Sequence, residues 1–352
     1  MKYGIAFFTI GLVKVSILIY FSLFPAIFFG GGNDSEFYDA YAQGVDSEIP
    51  NIWPVLLRHL NDLGMYSRTG VSYFLALLGV LVIPLLVARL AVVKGAFQVR
   101  TFWFVVFVIA AYPTLFFYTF DIYRDVLMVF VFLVGLLAIK GFIDGVSVPN
   151  KIGSLFVVFC IGYFLYLLRP YLGFGFLLAF FGFNFFRFRT ASLSLYLVSF
   201  LLLINLAFAF GYLDPILMYR EIFDDMDGGS NFGIRFESTE MFLLDFLKSA
   251  LYQIFGIYFP NYPSVVVFFL ESIPFMISLI YLVKNRRFAD PFVSYLVIFS
   301  LIYSTVWLLG NDNLGTAVRL RMYIYISIFI ASTIVFQRKS ISVPGSHVPS
   351  VG

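Results

Sequence analysis

The chain has 352 residues, 61% of them hydrophobic and 12% charged, about half the charge of a soluble domain. Its mean hydropathy of +0.94 makes a bilayer the natural solvent, and a net charge of +3 without a large basic patch argues against nucleic acid as a partner. The single cysteine, Cys160, lies inside an apolar run, so there is no disulfide framework and no thiolate metal site.

About ten apolar stretches, most near the ~20 residues that cross a bilayer, follow one another along the chain. The first runs from Gly4 to Phe29. Its length, and the lack of a small-residue cleavage pattern after it, read as a retained helix and not a signal peptide. Val71 to Val93, Thr101 to Phe120 and Val126 to Ile139 come next, the last starting nearer Tyr123. Gly153 to Leu168 and Leu172 to Phe186 are hinged at Arg169-Pro170-Tyr171, because proline lacks an N–H and disfavours helix in the residue before it. Ser192 to Gly211, Val265 to Val283, Phe292 to Leu309 and Met322 to Phe336 complete the series. The expected fold is an all-α polytopic integral membrane protein with about ten transmembrane helices. One transmembrane domain occupies residues 1–339, and a Ser-, Pro- and Gly-containing tail, 340–352, is expected to be disordered.

The loops between these stretches sort by sign. One set carries Arg89, Lys94, Arg100, Lys140, Lys151, Arg187, Arg189, Lys284, Arg286, Arg287, Arg338 and Lys339, with only Asp144 and Asp290 as acids. The positive-inside rule makes this set cytoplasmic, with both termini. The other set, residues 30–70, 212–263 and 310–321 plus the turns at Asp121 to Asp125 and Arg169 to Tyr171, then faces outward and holds almost every group able to do chemistry. Within it, Glu240 to Tyr258 is amphipathic and is expected to lie flat on the membrane.

In the first outer loop, Gly31-Gly32-Asn33-Asp34 ends the first helix and places Asp34 at the expected N-cap of a short helix over Ser35 to Gln43. Asp34, Tyr38 and Tyr41 then share a face. Asp34 or Asp39 could act as a general base toward a hydroxyl, or Asp34 could simply cap the helix while Glu36 and Asp39 are solvated. His59, Asp62 and Arg68 follow, a lone histidine being more often structural. Arg124 either grips a phosphate with its planar fork or pairs with Asp121 or Asp125. Arg169 interrupts a long apolar run, where an ionised group costs about 2.5–3.5 kcal/mol on insertion scales, which marks it as facing a cavity or partner. Asp224 to Asn231 resembles a calcium loop only loosely and reads as a solvated acidic loop, with Arg220 and Arg235 flanking it as better ligand contacts. Lys14 snorkels, and Glu271 is an intramembrane acid. Gly310 to Thr316 is a Gly- and Asn-rich turn whose free backbone donors, with Asn313, Thr316, Arg319 and Arg321, could neutralise a pyrophosphate. If the last helix has already begun at these arginines, they point roughly 200° apart and cannot both line one cavity.

Together, Asn33-Asp34-Ser35-x-x-Tyr38, Arg124-Asp125, Arg169-Pro170-Tyr171 and Gly315-Thr316-Ala317-x-Arg319-x-Arg321 resemble bacterial polysaccharide repeat-unit polymerases, the O-antigen polymerase (Wzy) and EpsG-like proteins, within the wider GT-C-like membrane glycosyltransferases. The resemblance implies polymerisation of undecaprenyl-pyrophosphate-linked oligosaccharide on the outer face of the inner membrane. No nucleotide sugar, metal or other cofactor is implied; membrane lipid and a chain-length regulator are the further partners. Asp34 and Asp39 would be catalytic, with Tyr38, Asn313 and Thr316 in support. Arg124, Arg169, Arg220, Arg235, Arg319 and Arg321 would hold diphosphate. One departure is that no histidine lies in the Tyr212 to Pro263 loop, so any acid–base help falls to Asp34 or Asp39. The alternatives are a GT-C transferase adding one sugar from a polyprenyl phosphate, and a non-enzymatic transporter of lipid-linked glycan.

Overall fold

A computed structural model describes residues 2–23, 33–47, 51–93, 99–185, 187–190, 192–221 and 230–342. The expectations placed on Gly30 to Gly32, on Asp224 to Gly229 and on most of the tail lie outside these residues. The described chain is all-helical, with a single isolated bridge, Asn231 to Asn313, in place of any strand. Contacts divide it into two compact units: residues 1–90 with 102–177, and residues 91–101 with 178–352.

The first unit opens with α1 (Lys2–Leu23), then short helices α2 (Asn33–Gln43) and α3 (Ile52–Asp62). A long bent span follows, made of α4 (Arg68–Leu77), a π turn over Leu78–Val82 and α5 (Ile83–Ala91). Next come α6 (Val99–Ala110), α7 (Pro113–Phe117), α8 (Arg124–Asp144), α9 (Val148–Leu168) and α10 (Pro170–Gly182), the unit boundaries falling inside α6 and α10. Small residues let helices meet closely here. A Cβ on Gly173 would lie 2.3 Å from the backbone nitrogen of Tyr166, so α10 can fold back on α9 only with glycine at that position.

The second unit contains α11 (Leu193–Ala209) and α12 (Asp214–Glu221), bent by 75°. They are followed by α13 (Phe242–Gln253) and a span built from α14 (Tyr262–Val267), a π turn over Phe268–Ser272 and α15 (Ile273–Lys284). A 3-10 turn at Arg286–Phe288 leads to α16 (Pro291–Gly310) and α17 (Leu314–Ser342). The core of this unit is the α16–α17 pair, where Tyr295, Phe299, Tyr303, Trp307, Met322 and Tyr323 are all buried.

Each of the ten expected stretches contains helix among the described residues, but they differ in reach. Among the described residues seven helices are long and apolar enough to cross a membrane, or eight if the bent α11–α12 pair is one span. The stretch expected from Thr101 to Phe120 is broken by Pro113 into α6 and α7, and the stretch expected from Leu172 is the 13-residue α10. At 1.5 Å per residue, α6 and α10 rise only about 20 Å, short of a ~30 Å hydrocarbon core. The amphipathic piece is helical as α13. The hinge before Pro170 is present, with Arg169 extended at φ −157° and ψ 105°.

Both π turns lie just before a proline, Pro84 and Pro274. Each proline removes one backbone donor, and the ladder widens instead to bonds from Ile83 to the Leu78 carbonyl and from Ile273 to the Phe268 carbonyl. The second turn carries Glu271, which is 2% exposed.

Candidate functional site

In the first unit, charged groups from four separate segments meet. Helix is already present at Asn33, so Asp34 lies in the first turn of α2 and not at its N-cap, a position where the helix dipole still favours a carboxylate. Ser35 and Tyr38 are buried. Asp39 accepts a 2.6 Å hydrogen bond from the Tyr66 hydroxyl and lies 3.5 Å from the Arg68 guanidinium. Arg68 places its fork on Asp121, Nε to Oδ1 at 2.9 Å and Nη2 to Oδ2 at 2.5 Å, and Nη2 reaches the Ser35 hydroxyl at 3.4 Å. Burial alone would raise the Asp121 carboxyl, but the Arg68 bond and the Ile122 N–H at 2.8 Å outweigh it and hold Asp121 below the usual range. Burial, and then the bond to Asp39, raise the Tyr66 phenol. The indole of Trp53 ties α3 to the same turn by donating to the Ile122 carbonyl at 2.7 Å.

The phenol of Tyr38 is the meeting point. Burial raises its pKa, and the charges acting on it are, in order, Arg124, Asp34, Asp125 and Arg169. Three of the residues singled out by the sequence, Asp34, Arg124 and Arg169, thus act electrostatically on a fourth, Tyr38. Of the two alternatives for Arg124, the pairing with Asp121 or Asp125 is not formed. Asp121 goes to Arg68, Asp125 faces Arg169, and Arg124 Nη1 donates instead to the Leu168 carbonyl at 2.7 Å. That carbonyl belongs to the last residue of α9, one of the C-terminal acceptors that a helix end leaves without an intrahelical donor. Arg169 and Asp125 are both buried, at 5% and 1% exposure, yet stand 3.9 Å apart. This is an ion pair in range of Coulomb attraction but too long for a hydrogen bond. Oδ1 of Asp125 has no hydrogen-bond partner among the described residues.

The second unit uses arginine differently. Arg220, 6% exposed, donates from Nε to the Ile234 carbonyl at 2.9 Å. From Nη1 it donates to the carbonyls of Leu308, Leu309 and Asn311 at 3.1, 3.2 and 2.5 Å. Nη2 pairs with Asp312. These carbonyls are the orphan acceptors at the C-terminus of α16, so Arg220 is a side-chain cap. Gln253 and Ser249 complete it: Nε2 of Gln253 reaches the Asn311 carbonyl at 3.0 Å, its Oε1 accepts from the Asn311 amide at 2.7 Å, and the Ser249 hydroxyl donates to the Leu308 carbonyl at 2.9 Å. Asp312 in turn accepts from the Gly233 N–H at 2.9 Å.

The Gly310 to Thr316 turn therefore offers few loose donors. Leu314 N donates to the Ser230 carbonyl at 3.0 Å, and Asn313 Oδ1 accepts from Thr316 N at 3.1 Å. This is an N-cap that starts α17 eight residues before the expected Met322. Arg319 and Arg321 consequently sit inside a helix and point to different faces. Arg321 is buried, 3.7 Å from Glu271, with its guanidinium 5.4 Å from the Tyr325 ring. Arg319 is half-buried and Arg235 is exposed.

The sequence pointed to Arg220 but not to Gln253 and Ser249, which bond the same end of α16 and carry no motif. It pointed to Glu271 but not to Arg321 as its partner. The prolines at 84 and 274 were the available signal for the two π turns.

Fold and apolar helices fit a membrane-embedded, polytopic helical protein. Comparison with known protein families, with curated proteins and with solved structures finds no match to this chain.

Proposed function

We propose that this protein is a membrane glycosyltransferase that joins undecaprenyl-pyrophosphate-linked oligosaccharide repeat units on the outer face of a bacterial inner membrane. The observation that supports this reading is that buried Arg169 faces Asp125 across 3.9 Å at the α9 break, where Arg124 also donates to the Leu168 carbonyl, with both arginines and Asp34 acting electrostatically on the buried Tyr38 phenol. Glycosyl transfer from a lipid diphosphate needs a base for the attacking hydroxyl and cations for the departing diphosphate. The acceptor oxygen bonds to the anomeric carbon, the bond from that carbon to the diphosphate oxygen breaks, and the hydroxyl proton passes to Asp34. Arg124 and Arg169 take up the charge on the leaving group. Nε and Nη1 of Arg169 make no hydrogen bond among the described residues, and a phosphate oxygen would supply one. Asp39 is engaged by Tyr66 and Arg68 and is better placed to hold α2 than to move a proton. Arg220, occupied by carbonyls and Asp312, is better placed as scaffold.

A transferase that adds one sugar from a polyprenyl monophosphate would use the same acid and the same two arginines, since a phosphate dianion suits them equally. Product length separates the two. Cells lacking the gene, complemented with wild type, should make a ladder of repeats on gel electrophoresis of their lipid-linked glycans; one added unit would assign the single-sugar reaction. Asp34→Asn should cut product by on the order of 10²–10⁴-fold at unchanged membrane protein level. A full ladder from that variant would remove Asp34 as the base.

A further inference from the structure

At the end of α16 opposite the Arg220 cap, the second unit carries an open surface pocket of about 630 Å³ lined by Arg189, Arg287, Phe288, Ala289, Arg338, Ile341 and Ser342. That volume is in the range of small-ligand sites. Its walls are fixed. Phe188 N donates to the Ser294 hydroxyl at 3.2 Å, and Asp290 caps α16 through a 2.7 Å bond from Val293 N. Lys339 reaches the Asn285 side chain at 2.9 Å, holding the end of α17 beside the Arg286–Phe288 turn.

The charge in this cavity is unbalanced. Asp290 pairs with one of the lining arginines, and it is engaged twice: one oxygen on the helix cap, the other on Arg338 Nη2 at 2.7 Å. Among the described residues no carboxylate pairs with Arg189 or Arg287, which are both exposed. Nε of Arg338 is itself buried and has no hydrogen-bond partner. Three guanidinium groups thus converge on one space with a single, already occupied, counter-charge. The remaining lining, Phe288 and Ile341, is apolar. A site with arginines at one wall and an aromatic and an aliphatic residue at another, at the end of apolar spans, suits an amphiphile with a phosphate head.

We propose that this cavity binds the phosphate headgroup of an anionic membrane lipid, with Arg189, Arg287 and Arg338 holding the phosphate oxygens and Phe288 and Ile341 contacting the glycerol and acyl chain. These arginines belong to the loops that charge sorting assigns to the cytoplasmic face, where anionic headgroups concentrate. The site is separate from the Tyr38 cluster and does not depend on the reaction proposed there.

The test is native mass spectrometry of the full chain released from micelles containing phosphatidylglycerol or phosphatidylcholine, with inorganic phosphate as a soluble competitor. Wild type should retain phosphatidylglycerol in preference to phosphatidylcholine, and millimolar inorganic phosphate should not displace it. An Arg189→Gln, Arg287→Gln double variant, changed only at exposed positions, should weaken phosphatidylglycerol retention by about tenfold or more. Lys151→Gln, an exposed basic residue of the first unit, should leave it unchanged. Equal retention by the double variant, equal retention of phosphatidylcholine, or an equal loss in Lys151→Gln would each overturn the site. Displacement by inorganic phosphate alone would reassign it to free phosphate and overturn the lipid.

Discussion

Two buried arginines, Arg220 in the second unit and Arg169 in the first, have nearly the same exposure and quite different surroundings. Arg220 spends all three nitrogens on carbonyls and a carboxylate within hydrogen-bond distance. Arg169 faces its carboxylate across 3.9 Å, and its Nε and Nη1 make no hydrogen bond among the described residues. Desolvating a guanidinium costs several kcal/mol, and good geometry is what offsets it. Arg220 has that geometry from the protein alone, so its cost is met by folding. The looser arrangement around Arg169 is the one in which a ligand oxygen has something to add. Burial therefore does not distinguish a structural arginine from a binding one, whereas the completeness of its hydrogen bonding does.

Breaking the first half of that comparison should have the largest effect. Arg220→Ala strips the cap from α16 and leaves Asp312 buried without its partner, a change worth about 3–5 kcal/mol. Thermal unfolding of the purified protein and its level in membranes should both fall sharply, while glycan made per folded molecule stays near wild type. A stable Arg220→Ala protein with normal abundance and lost activity would mean that Arg220 serves the ligand after all.

Arg124 sharpens the other half. Its one clear bond goes to the Leu168 carbonyl at the helix break, and Lys can make a single bond of that kind. Arg124→Ala should lower activity by about tenfold to a hundredfold, the loss of one charge-assisted contact. Arg124→Lys should keep the protein folded yet recover activity only partly, because ammonium lacks the bidentate fork. Full recovery with lysine, measured as product per membrane-inserted molecule, would reduce Arg124 to a cap of α9.

The smallest effect should come from Asn313→Ala. It removes the N-cap bond to Thr316, worth about 1 kcal/mol, and should lower the unfolding temperature slightly without changing product length. A loss of activity with unchanged stability would instead put Asn313 in contact with substrate.

Much of this was legible in the sequence, and for identifiable reasons. Long apolar runs are stable in a bilayer only as helix, so each expected stretch contains helix among the described residues. Pro170 announces its own break. What failed to show was what depends on distant partners. Arg220 reads as a loose cation beside an acidic loop, because its acceptors are backbone carbonyls at Leu308 to Asn311, invisible as residue types. The start of α17 was obscured by Gly315 and Thr316, which look like turn, although Asn313 supplies the cap that lets helix begin there. Asp34, Arg124 and Arg169 all act electrostatically on Tyr38, a relation that no local motif announces. Arg319 and Arg321 are separated by the helical phase that α17 imposes on them.

The π turns before Pro84 and Pro274 bear on how such a chain tolerates change in length. A π turn is an α-helix holding one surplus residue. The residues on either side stay near α-helical phase, so the surplus is absorbed within about one turn and the ends of the span keep their facing. Insertions and deletions of a single residue are ordinarily ruinous in a membrane helix, since each turns everything beyond it by about 100°. At Phe268–Ser272 that penalty is already localised. Losing one residue there would return the segment to regular helix and move Glu271, with its hold on Arg321, while α15 beyond it stays in place. Relatives of this protein should therefore differ in length at these two turns before they differ elsewhere in the spans.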